Sequence, residues 1–128
     1  MVQIRSDVDV VNARQQARTL ASDLHFSSSD LTLIATAISE VARNIVAYAG
    51  NGEIALRVAQ RGERRGLVVI ARDRGPGIPD IERALQDGFS TSGGLGLGLP
   101  GCRRLMDEFE LTSAAGKGTE VTMTKWER

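Results

Sequence analysis

The sequence predicts a single α/β domain, and three observations point to it. Its 128 residues are the length of one domain, and a chain of this size buries roughly two-thirds of the surface it exposes when unfolded. Two segments with apolar residues at helical spacing follow one another near the N-terminus. Beyond them lie two pairs of β-type runs, each pair joined across glycine, and the 14 glycines, against a usual share of about 7%, gather largely in the loops around those runs.

The elements follow in order. Val2-Gln3-Ile4 alternates like a short strand, and Ser6 with Asp7 or Asp9 offers an N-cap for a helix running to about Leu24. Its apolar positions are Val10, Val11, Ala13, Ala17, Leu20, Ala21 and Leu24. The Ser27–Asp30 cluster caps a second helix from about Leu31 to Tyr48, ended by Gly50 and Gly52. Ile54–Val58 and Leu67–Ala71 form a hairpin across the polar stretch Gly62 to Gly66, with Arg61, Arg64 and Arg65 as a solvated tip. The second run lacks alternation, so it is expected to be buried on both faces. A short helix is expected from Pro79 or Asp80 to Leu85, then a flexible segment from Asp87 to Gly98, then a helix beginning near Pro100. Leu111–Ala115 and Glu120–Lys125 close the chain as a hairpin across Gly116-Lys117-Gly118.

Composition excludes several functions. Sixteen basic residues balance sixteen acidic ones, which leaves no electrostatic footprint for nucleic acid, and 4% aromatic residues provide few base-stacking platforms. The single cysteine, Cys102, excludes an intramolecular disulfide and reads as a small buried hydrophobe. No signal peptide is apparent and no apolar run approaches the roughly 18 residues of a membrane span, so a soluble cytoplasmic domain is expected.

Within the second helix, Ile34, Ile38, Val41 and Ile45 project within about 40° of one another and define the buried stripe. Glu40 and Asn44 lie off that stripe, about 40° apart, so both are expected to point from the border of the core along one edge. The run Gly93 to Gly101 leads into a helix, and glycines before a helix N-terminus let backbone N–H groups converge on an anion. It formally contains G-x-G-x-x-G, but no strand precedes it, so it is not a dinucleotide fingerprint; a Walker loop and the kinase H-R-D loop are absent. Asp73 closes a buried strand before Gly75 and Gly77, where its carboxylate would either cap the turn or accept a hydrogen bond such as that of an adenine amine. Thr119 opens the last strand, and His25, at the end of the first helix, reads as structural.

Taken in order, Glu40-Val-Ala-Arg-Asn44, Asp73-Arg-Gly-Pro-Gly77, Gly94-Leu-Gly-Leu-Gly98 and Gly116-Lys-Gly-Thr119 resemble the N, G1, G2 and G3 boxes of the GHKL ATPases and kinases. The size matches the small anti-sigma regulatory kinases of that superfamily, and Ala42–Gly50, Asp87–Gly94 and Leu99–Phe109 resemble its stressosome switch kinases. The resemblance covers nearly the whole chain. It implies the Bergerat fold, a two-layer α/β sandwich with a mixed sheet, helices on one face and a flexible ATP lid. It further implies a serine/threonine kinase using ATP and Mg²⁺, with Glu40 accepting the substrate hydroxyl proton, Asn44 anchoring the metal and Asp73 reading adenine with Thr119. Gly75, Gly77, Gly94, Gly96 and Gly98 would bring backbone to the nucleotide. Implied partners are STAS-domain proteins of the RsbS and RsbR kind and a PP2C-type phosphatase of the RsbU kind, with neither nucleic acid nor membrane. Leu97 stands where the family carries a small residue, which bears on lid closure. An anti-sigma factor that binds a sigma subunit is the alternative reading, and an ATPase that activates water a further one.

Overall fold

The computed structural model describes residues 1–75, 98–114, 116 and 118–127. Strand β1 (Val2–Ile4) leads into helices α1 (Asp7–Ala21) and α2 (Ser28–Asn44), the latter extended by a π-helical turn, Ile45–Ala49. The hairpin β2 (Gly52–Arg61) and β3 (Arg64–Asp73) follows, then helix α3 (Gly98–Leu105) and the hairpin β4 (Glu108–Ala114) and β5 (Gly118–Trp126). The short helix expected between Pro79 and Leu85, and the segment from Asp87 up to residue 97, lie outside the described residues.

Local chemistry sets the helix ends. The Asp9 carboxylate accepts from the backbone N–H groups of Arg5 and Ser6, at 2.8 and 3.2 Å, and starts α1. The Ser27 hydroxyl accepts from the N–H of Asp30 at 3.0 Å and starts α2. α1 ends at Ala21, short of the expected Leu24; the Leu24 N–H instead bonds the Ala21 carbonyl in a turn at 2.9 Å and buries its side chain.

The five strands lie in the order β1-β2-β3-β5-β4, and every pairing is antiparallel where a mixed sheet was expected. β3 and β4 do run in the same direction, joined through α3, but β5 returns between them and pairs with both. Two helices between β1 and β2 likewise carry the chain out and back, so those neighbours are antiparallel. The helices pack on one face, where Ile54, Leu67, Val69, Ala71, Val121 and Met123 meet Val10, Ala13, Ala17, Ile34, Ile38, Val41 and Cys102. β3 meets the expectation of burial on both faces only in part: on the face away from the helices Val68 is covered, Ile70 half-buried and Arg72 exposed.

The β2–β3 tip is not merely solvated. The strands extend to an Arg61–Arg64 pair, leaving a two-residue turn, and Arg61 and Arg65 are engaged by the body of the protein. Arg61 lies 4.7 Å from the Trp126 ring centroid and 3.1 Å from Glu108, while Arg65 donates to the Asp23 carbonyl at 2.9 Å. These tertiary partners are invisible in the local run of charge. One expectation about hydropathy also changes: Ser28–Ala49 forms a continuous helical stretch of 22 residues, long and apolar enough by composition to cross a membrane. Here it is the central helix of the core, with Ile34, Ala37, Ile38, Val41, Ala42 and Ile45 buried against the sheet and its neighbouring helices.

Candidate functional site

Glu40 and Asn44 sit one turn apart near the C-terminal end of α2. Glu40 is only 1% exposed, so it lies inside the protein and not at the border that single-helix geometry suggested. Here α3 packs on α2, and Cys102, fully buried, donates its thiol to the Ala37 carbonyl over 3.6 Å, one turn before Glu40. Burial and the nearby Glu40 carboxylate together push that thiol up to about 12. Arg43 Nη1 stands 3.3 Å from Glu40 Oε1, with the arginine side chain 34% exposed. Asn44 is half-buried and closes the α-helix; the π-helical turn that follows is held by the Gly50 N–H donating to the Ile45 carbonyl at 2.9 Å. Such turns widen a helix by one residue and frequently mark functional sites.

The second half of the site is built at the end of the sheet. Asp73 closes β3 and is the register partner of Thr119 on β5, so the two side chains project side by side toward the helical layer. Asp73 Oδ1 accepts the Gly75 N–H at 2.9 Å, so the turn cap that the sequence left as one possibility is present. Its other oxygen, Oδ2, takes no hydrogen bond among the described residues. The Ser113 hydroxyl donates to the Gly118 carbonyl at 2.9 Å and lies 3.0 Å from that of Thr119, which fixes the threonine side chain.

Two glycines permit these pieces to converge. A Cβ on Gly75 would stand 2.7 Å from the Ala49 Cβ, so only glycine lets the turn after Asp73 rest on the π-helical turn that follows Asn44. Gly118, at φ 86°, passes so close to the Asp73 carbonyl that any side chain would collide with it. A cleft of about 660 Å³ also opens at this end of the sheet, but its wall is drawn largely from the face away from the helices, with Gln3, Glu53, Arg72, Thr112 and Glu120 beside Asp73 and Thr119.

The fold therefore gathers the C-terminal end of α2, Asp73, Gly75 and Thr119 at one end of the molecule, and Gly98 opens α3. Gly77, Gly94, Gly96 and Leu97 lie outside the described residues. Sequence reasoning passed over Ser113, which aligning the last hairpin about its glycine turn would have placed opposite Thr119. From sequence, Arg43 either touches phosphate or faces solvent; the structure instead pairs it with Glu40, as their i, i+3 spacing permits.

This layered α/β arrangement is that of a GHKL-class ATPase domain. The chain belongs to the histidine kinase-like ATPase family, whose domain it matches over residues 5–125. It is 57% identical over 128 residues to the serine/threonine-protein kinase RsbT of Bacillus subtilis, covering 99% of this chain and 96% of that one. It is 34% identical over 120 residues to the anti-sigma F factor of Thermoanaerobacter sp. (strain X514), covering 89% and 82% of the two chains. Among solved structures, the RsbU and RsbW domains of Rv1364c from Mycobacterium tuberculosis superpose with a TM-score of 0.64 at 25% identity, covering all of this chain and 32% of that one. The mycobacterial sensor histidine kinase MprB shares the fold, with a TM-score of 0.54, 23% identity and 94% of each chain covered. The chain is thus an RsbT-like serine/threonine kinase that uses ATP.

Proposed function

We propose that this kinase acts in partner switching, phosphorylating serine or threonine on STAS-domain stressosome proteins of the RsbS and RsbR kind, then activating a PP2C-type phosphatase of the RsbU kind. The likeness to RsbT over nearly the whole of both chains supports this reading. The observation that carries the chemistry is the convergence of the Glu40–Asn44 helix end with the Asp73–Thr119 pair through the Gly75–Ala49 contact. A cytoplasmic location is part of the same proposal.

Phosphoryl transfer needs positioning and charge neutralisation more than covalent chemistry. Asp73 Oδ2 accepts the exocyclic amine of adenine, with Thr119 beside it, while Gly75, Gly77, Gly94, Gly96 and Gly98 bring main chain to the nucleotide. Asn44 would hold Mg²⁺ through its carboxamide oxygen, a hard ligand suited to that ion. The ion, when bound with ATP, neutralises charge on the transferred group. The substrate hydroxyl oxygen forms the new bond to the γ-phosphorus, the bond to the β-phosphate oxygen breaks to release ADP, and the hydroxyl proton passes to Glu40.

The deciding experiment is incubation with labelled ATP and a purified STAS-domain protein of the RsbS kind, with mass spectrometry to locate the phosphate. Transfer to serine or threonine that is lost in Glu40→Ala, with ATP affinity kept, supports the proposal. Phosphate release without labelled protein means that Glu40 activates water instead. The 34% identity to an anti-sigma F factor favours a second reading, a factor that binds a sigma subunit and phosphorylates its antagonist. Pull-down separates the two: STAS proteins and a phosphatase support the first, a sigma subunit the second. Asp73→Asn should weaken ATP binding by on the order of tenfold while sparing inorganic triphosphate, and equal loss of both would remove its role toward adenine.

A further inference from the structure

We infer that Arg43 is the positioning residue for Glu40, holding the buried carboxylate in its working orientation without itself touching ATP; the inference rests on the reading of Glu40 as proton acceptor. Glu40 is 1% exposed and Arg43 is 34% exposed, so this ion pair has one partner inside the protein and one reaching it from the rim. Burying a carboxylate is costly unless opposite charge and hydrogen bonds offset its lost hydration. The Arg43 guanidinium supplies both to Oε1 at 3.3 Å. Because the two residues are three apart on one rigid helix, the contact is set by the backbone of α2 and does not depend on a mobile loop. Cys102 on α3, its thiol on the Ala37 carbonyl at 3.6 Å, packs against the same stretch of α2.

Geometry of this kind acts on the chemical step. A proton acceptor must present an oxygen within hydrogen-bond reach of the substrate hydroxyl as the phosphorus is attacked, and a displacement near 1 Å costs about 100-fold in rate. A planar guanidinium fixes carboxylate orientation better than an ammonium does. Arg43 therefore contributes to kcat through Glu40, and the ATP site is formed by other residues.

The test is steady-state kinetics with ATP and a purified STAS-domain protein of the RsbS kind as phosphoacceptor. Arg43→Ala should lower kcat by roughly 10- to 100-fold while KM and the directly measured dissociation constant for ATP stay within about twofold. Arg43→Lys, which restores charge without the planar fork, should recover kcat to within about fivefold of the parent. Thermal melts accompany both, and should Arg43→Ala fail to fold, the lysine variant alone must show an intermediate kcat at unchanged ATP affinity. Weakened ATP binding in either variant would make Arg43 a phosphate ligand and overturn the inference. Unchanged kcat in Arg43→Ala would overturn it as well. Glu40→Gln run in parallel distinguishes the two layers of the argument: if that variant still transfers phosphate, the proton-acceptor reading falls and the positioning role falls with it. If Glu40→Gln is inactive while Arg43→Ala is normal, only the positioning role is lost.

Discussion

At Cys102 the thiol is fully buried against the backbone of α2, and burial together with the Glu40 carboxylate pushes it up to about 12. Near pH 8 such a group is thiolate in only about one part in ten thousand, and the thiolate is the reactive form. Iodoacetamide should leave the native protein unmodified over hours and alkylate one site once guanidinium unfolds it; rapid labelling of the native protein would contradict the geometry. The sequence already suggested a small buried hydrophobe here, because a lone cysteine on an amphipathic helix has nothing else to do. At Glu40 the same reasoning fell short. A helical wheel places the residue at the edge of its own stripe, but whether that edge is open depends on α3, whose contact with α2 spans sixty-five positions of chain between Ala37 and Cys102. Residue chemistry was legible in the sequence, and residue environment was legible only where one element decides it.

Elements whose boundaries rest on local chemistry were readable within a few residues. The two caps, the order of the strands along the chain and the burial of residues 66–69 within β3 all follow from serine, aspartate and the run of apolar residues. Sheet order was not readable in this way, since the return of β5 between β3 and β4 is a long-range choice, and with it went the expected mixed sheet. The π-helical turn after Asn44 was also hidden, because Ile45–Ala49 has the composition of ordinary helix. Ala49 in this turn packs against the turn at Gly75. The four boxes group residues by resemblance, and among the described residues the β3–β5 contacts join two of them, at Asp73 and Thr119. Gly118 illustrates the joint: its φ of 86° and its approach to the Asp73 carbonyl make β5 begin where it does. Gly118→Ala should destabilise the fold by about 1–3 kcal/mol and displace Asp73, so ATP affinity falls along with the melting temperature. A variant with normal stability and weakened ATP binding would instead place Gly118 in contact with nucleotide, and normal values of both would contradict the close approach.

Over the whole molecule, zero net charge leaves stability to specific pairs, and Glu127 holds the most distant parts together. Its carboxylate accepts the His25 N–H at 2.6 Å from the α1–α2 connection and the Arg65 N–H at 3.0 Å from β3, and meets the Arg65 guanidinium at 3.4 Å. The His25 amide contributes most, and with Arg65 it lowers the carboxyl's proton affinity below the ordinary 4.5 despite partial desolvation. His25 thus serves the fold through its backbone, and its side chain is exposed. A carboxyl whose pKa is depressed by folding stabilises the native state above its unfolded value, and that contribution disappears as pH falls through the folded value. Glu127→Gln keeps an acceptor oxygen but removes the charge. It should therefore be less stable than the parent at neutral pH, with the difference shrinking once the pH drops below about 4.5. Denaturant unfolding of both proteins between about pH 7 and pH 3 measures this directly. A stability difference that stays constant across the range would show that Glu127 acts by shape alone, and the clasp between the chain terminus, the helical layer and the sheet would then owe nothing to its charge.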